Sequence, residues 1–171
     1  MNKKDVSEKF IKSAEKGIID HCKKIGLIIP QIAYILATIN HETDGMMVPR
    51  YVGYWDSESS HDKWFSRGYV MIQGVKWYNK FANLIGKNIV DFPEMVMNAD
   101  TALEIVISGM VHGHFTGHPL RAFVNGDCMN FVDARRSVVT VSVKAEWVSN
   151  LAWDYLQKLH EGYWDEVPVF S

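Results

Sequence analysis

Pro30-Gln31-Ile32-Ala33-Tyr34-Ile35-Leu36-Ala37-Thr38-Ile39-Asn40-His41-Glu42-Thr43-Asp44-Gly45 is the stretch on which the fold turns. Proline suits the first turn of a helix, where it has no N–H to leave unpaired. Ile32, Ile35, Leu36 and Ile39 recur at helical spacing and predict a buried stripe over residues 30–42. Glu42 falls at the end of that helix, about two turns after Ile35, where the chain meets Thr43-Asp44-Gly45. A carboxyl half-buried against apolar walls has its charged form disfavoured, so it tends to hold a proton near neutral pH, as a general acid must. Taken alone, a glutamate at a helix end is more often a solvated charge.

On the N-terminal side, Val6, Phe10, Ile11, Ala14, Ile18, Ile19 and Cys22 give one apolar face to a helix over 5–24, which Gly26 ends. On the C-terminal side, residues 45–74 lose the helical period. They are rich in glycine, serine and aromatics, and read as a loop with a short hairpin ending in a strand Tyr69–Ile72. Val75, Tyr78, Phe81, Ala82 and Ile85 restore a helix that Gly86 stops. Asp100 is the expected N-cap of a helix from Thr101 to His112, with Leu103, Val106, Ile107, Met110 and Val111 inside. Phe115–Pro119 breaks it, and a short helix Val132–Val138 follows. A last helix, Ser142–His160, should bury Val143, Trp147, Leu151, Tyr155, Leu156 and Leu159. The aromatic, acidic tail 161–171 is aperiodic and peripheral, either packed back on the body or free as an arm.

A chain of 171 residues fits one domain, 1–171. It can bury roughly two-thirds of its unfolded surface, enough to fold without disulfides or a metal. A net charge of −2 gives no electrostatic support for a nucleic-acid partner. Cys22 and Cys128 are far apart and lack a CxxC spacing, so both are expected to be reduced, buried, small apolar residues. The first residues lack the apolar core of a signal peptide, and no apolar run reaches the roughly 18 residues of a membrane span. The expectation is a protein made in a host cytoplasm, with no membrane partner, whose delivery to any outside substrate depends on something else.

Four segments carry candidate chemistry. They are Asn40–Gly45; Ser66-Arg67-Gly68-Tyr69-Val70-Met71-Ile72-Gln73-Gly74 running into Trp77-Tyr78; Gly109–Gly117 with its Phe115-Thr116-Gly117; and Val124-Asn125-Gly126 followed by Asp133-Ala134-Arg135-Arg136. Each is short and unspecific by itself. In this order and spacing, from Gln31 to Leu156, they resemble the chitinase-like phage endolysins and family-19 chitinases, glycoside hydrolases of the lysozyme superfamily. The resemblance implies a mainly α, lysozyme-like domain with a small β-hairpin beside the cleft. It implies Glu42 as the catalytic acid, with His41, Thr43, Tyr51, Arg67, Tyr69, Gln73 and Asn125 around the substrate, and Arg135 and Arg136 as structural arginines. The substrate would be peptidoglycan or a related β-1,4 glycan, reached through a holin or carried in a virion; chitin is the alternative.

The departures from that pattern fall at the chemistry. The group carries a second glutamate in the loop, where Tyr51 and Val52 stand here; Met71 and Gln73 replace its strand Gln and Thr, and Trp77 its Asn. An inverting glycosidase needs a carboxylate base about 6.5–9.5 Å from the acid, and a tyrosine with a pKa of about 10 is a poor base at neutral pH. Asp44, Asp56 or Glu58 could take that role, or a positioned water could suffice. Otherwise the scaffold only binds glycan or builds a virion. Trp55, Trp64 and Tyr69 could stack on sugar faces, or simply pack the loop. His112, His114 and His118 lack the spacing of a zinc site, so no metal or other cofactor is expected.

Overall fold

The computed structural model describes residues 3–52, 63–140 and 143–169. Helix α2 (Ile29–Glu42) is buried at every position from Ile32 to Ile39, Thr38 included. The sequence predicted one apolar stripe, but a helix apolar on all sides must be enclosed on all sides. Its main neighbour is α5 (Ala145–His160), which offers Val148, Ala152, Tyr155 and Leu156. Helix α1 (Lys3–Lys24) closes another side with Ile18, Ile19 and Cys22. At its start, α2 is tied to distant chain by Gln31, whose Nε2 donates to the Val124 carbonyl at 2.9 Å. At its end, the Thr43 hydroxyl donates to Ile39 O at 2.7 Å and accepts from Met47 N at 3.0 Å. The turn this closes carries positive φ at Asp44, Gly45 and Met47.

Strands β1 (Arg50–Val52) and β2 (Ser66–Gly68) form a two-stranded antiparallel sheet in which Tyr51 faces Arg67. The fold is therefore mainly α with one small sheet. The expected strand Tyr69–Ile72 is instead a turn. Positive φ at Gly68 and Met71 breaks the extended backbone, and Ile72 folds back to bridge Arg67. Glycine is required at 68 on packing grounds too, because a Cβ there would lie 2.9 Å from Val96 Cγ1. Helix α3 (Val75–Ile85) ends at a left-handed Gly86, as the sequence predicts, and covers a second cluster of Ile72, Tyr78, Phe81, Ile89, Val96 and Ile105.

Helix α4 (Ala99–Val106) is capped by Asn98 rather than Asp100: the Asn98 side chain accepts from Thr101 N at 3.1 Å. The helix widens to π geometry over Ile107–Val111. Gly109 sits there against the Phe115 ring, where a Cβ would come within 1.9 Å. The short helix expected at Val132–Val138 is a 3-10 turn, Asp133–Ser137. Helix α5 starts at Ala145, after a left-handed Lys144, and Ser142 lies outside the described residues. Val143 and Trp147 are exposed, not buried. Trp147 is offset by about 100° from Val148, which faces the core. Phe10 of α1 is likewise exposed.

Both cysteines are free, but only Cys22 is buried, its thiol pushed up to about 12 by that burial; Cys128 is exposed on a loop. The tail packs back through Trp164, which stacks on Tyr155. Both rings donate to Glu15, Tyr155 Oη at 2.7 Å and Trp164 Nε1 at 2.9 Å, so this glutamate is an interior acceptor rather than part of a solvated face. Among the described residues no helix is long and apolar enough to cross a membrane.

Because α2 is enclosed on every side, truncations within it leave cavities. Ile35→Ala and Leu36→Ala should each cost about 2–5 kcal/mol in denaturant unfolding. A loss below about 0.5 kcal/mol for both, as surface sites give, would contradict their burial.

Candidate functional site

Glu42 is the last residue of α2, and its side chain is 22% exposed. Arg135, 93 residues later, projects from the Asp133–Ser137 turn and is almost wholly buried. Its Nη2 donates to Glu42 Oε1 at 3.0 Å, and its Nε to the Val143 carbonyl at 3.3 Å. The end of α2, the 3-10 turn and the chain entering α5 thus meet at one guanidinium. Glu42 is not walled by apolar groups alone, as its sequence context suggests; its second oxygen makes no hydrogen bond among the described residues. Sequence reading missed the pairing. Its only sequence signal is one arginine of an adjacent pair, with nothing local to say which turns inward.

Tyr34, Thr38 and Glu42 are spaced four apart and so share one face of α2. The Tyr34 hydroxyl, the Thr38 hydroxyl and Arg135 Nη1 are all buried without a hydrogen-bond partner among the described residues. Burial pushes the Tyr34 phenol up, and the Arg135 charge opposes this. A strip of polar atoms therefore runs along α2 to the ion pair.

His41 is half-buried beside Glu42. Burial lowers its pKa first; Glu42 and Asp44 work against this, while Arg135 and Lys144 add to it. Thr43 is buried and engaged in closing the helix end. Asp44, the nearest alternative base, is ion-paired with Arg50 of β1. Tyr51 is 46% exposed on β1 with its ring edge-on to Phe65.

The remaining predicted residues are engaged elsewhere. The Arg67 guanidinium is buried, lies 3.4 Å over the Phe65 ring and donates to Lys63 O and the Tyr78 hydroxyl, bracing the entry to β2. Tyr69 is buried, leaving no ring face for a sugar. Gln73 is exposed and accepts from the Ser66 hydroxyl at 3.1 Å. Asn125 closes its own loop, donating to Arg121 O and accepting from Asp127 N and Cys128 N. Arg136 is exposed over the Phe123 ring. Trp64 donates to the Val90 carbonyl at 3.0 Å and pins the loop. Trp55, Asp56 and Glu58 lie outside the described residues. His114 Nδ1 is 3.0 Å from the Ser108 hydroxyl, and among the described residues no three His, Cys, Asp or Glu side chains gather as metal ligands. Trp147, which sequence reading placed inside, is 60% exposed one turn beyond Lys144.

The His41 environment has a pH signature. A histidine whose folded pKa lies below its unfolded value near 6.5 binds fewer protons when folded. Its contribution to stability is complete above about pH 6.5 and is lost as pH falls through the lower, folded pKa. Unfolding midpoints should therefore drop between about pH 7 and pH 5, and His41→Asn should flatten that slope. An unchanged slope in the variant would remove His41 as the cause.

No protein-family model, curated protein or solved structure matches this chain.

Proposed function

We propose that the chain is a lysozyme-like glycoside hydrolase acting on the β-1,4 glycan of bacterial peptidoglycan, with Glu42 as general acid. The observation that carries this reading is the Glu42–Arg135 contact, which joins two of the four motif segments across 93 residues. Arg135 holds one carboxyl oxygen and fixes the direction of the group, leaving Oε2 to face a substrate. Protonation of the glycosidic oxygen is the step a general acid supplies as the sugar's oxocarbenium character develops. Exposed aromatic faces at Tyr51 and Trp147 suit sugar rings, which bind through an apolar face and an edge of hydroxyls. Chitin is a substrate of the same linkage. Delivery through a holin or in a virion would bring such an enzyme to the wall.

A second reading is a glycan-binding or virion-structural protein that keeps the scaffold without turnover. It is favoured by the absence of a carboxylate at Tyr51 and by the Arg50 partner on Asp44. The two readings separate on purified peptidoglycan. Under the hydrolase reading the wild type clears a suspension, and Glu42→Gln, which keeps the shape but not the transferable proton, loses about 10²–10⁴-fold. Full activity in Glu42→Gln would put the acid elsewhere. Sedimentation of the wild type with peptidoglycan, without clearing, would establish the binding reading.

Tyr51 offers a complementary gain-of-function test. If it stands where the base was, a folded Tyr51→Glu variant should clear peptidoglycan faster by up to the same order that a positioned base contributes, about 10²–10⁴-fold. Rates equal to wild type would place the water-activating group elsewhere.

A further inference from the structure

A cavity of about 590 Å³ opens between α1, the Met47–Pro49 loop and the first turn of α4. Its walls are Ala14, Gly17, Ile18, Met47, Tyr69 and Leu103, and Phe10 stands exposed at the mouth. That size falls within the range of small-molecule sites, which are mostly apolar with a few polar groups. One wall group is polar and unsatisfied. Tyr69 is 3% exposed, and its hydroxyl makes no hydrogen bond among the described residues. It is not one of the fully enclosed polar atoms left without a partner, so it is a donor and acceptor still open to a ligand in the cavity that Tyr69 lines.

The charge at the mouth decides the ligand class. Asp20 and Asp100 line the cavity together with His21, and among the described residues no lysine or arginine does. Asp20 is held by Lys16, whereas Asp100 has no ion pair or side-chain hydrogen bond among the described residues. Asp100 is close enough for its charge to add to the burial that pushes the Tyr69 phenol up to about 12. A helix start ordinarily favours anions, but the α4 start is already capped by Asn98 and carries Asp100 in its first turn. The exposed Phe10 ring at the mouth adds a π face of the kind that attracts organic cations.

We propose that this cavity is a binding site for a small organic cation with an apolar body, its ammonium or guanidinium group held by Asp100 and the Tyr69 hydroxyl. The site does not depend on the glycan reading: its lining includes neither Glu42 nor Arg135.

The test is calorimetric titration of the full chain with 2-phenylethylammonium, the neutral 2-phenylethanol and the anionic 3-phenylpropanoate. The cation should bind at least about tenfold more tightly than either analogue. Gly17→Leu should abolish binding. Gly17 is helical and lines the cavity, and a Cβ there meets only the Val169 side chain at 3.8 Å, so the backbone accepts a larger side chain that takes up cavity volume. Asp100→Asn, an exposed change that leaves the fold intact, should remove most of the cation preference. Equal affinity for all three probes, binding unchanged in Gly17→Leu, or no heat at about 10 mM cation, well above a millimolar Kd, would overturn the proposal.

Discussion

Helix α2 has no face to give to water, and most of the architecture answers that constraint. Burying Ile32 through Ile39 requires a neighbour on every side, which α1, α5 and the loop around Val124 supply. A helix enclosed in this way must still satisfy the backbone groups at its ends. Its C-terminal end does so through Thr43, and the chain then leaves through a turn with three left-handed residues. Glu42 stands where the enclosure opens. Its position follows from the same packing that makes α2 the axis of the core.

Enclosure also explains the polar strip beneath Glu42. Each buried hydroxyl on α2 costs free energy unless it finds a partner. Arg135 brings a charge into the same region, and removing one member of a buried ion pair is usually more damaging than replacing both. Tyr34, Thr38 and the second nitrogen of Arg135 find no partner among the described residues. A native interior rarely tolerates this without some return in function or ordered solvent. The strip runs along the face of α2 that ends at the carboxyl proposed to act.

Much of the helical framework was legible in the sequence because its signals are local. Proline at the start of α2, glycine after α3 and the apolar periods of α1 to α4 each act within a turn or two. The failures share a different cause. Tyr69–Ile72 has the composition of a strand, but positive φ at Gly68 and Met71 turns it away. Trp147 has the chemistry of a core residue, but lies off the face that meets α2. The resemblance implies Arg67, Tyr69 and Asn125 around a substrate, whereas their side chains are committed to a loop brace, a buried wall and a loop closure. Residue type and spacing can nominate a side chain, but its direction is set by partners far away in sequence. Glu42 was legible as a candidate; its contact with Arg135 was not, because a 93-residue separation leaves no local trace.

The Glu15 arrangement bears on how the protein comes off the ribosome. Its carboxylate accepts from Tyr155 and Trp164, donors that are translated 140 and 149 residues after it. Domains generally fold as units, and α1 carries a buried acidic group whose two interior donors emerge 140 and 149 residues later. Until they do, α1 has reason to keep that face in water, and premature docking on α2 would bury the group without partners. Closure of the core over α1 therefore has to wait for α5 and the segment carrying Trp164, which keeps an unusually apolar central helix from being covered early by α1 alone.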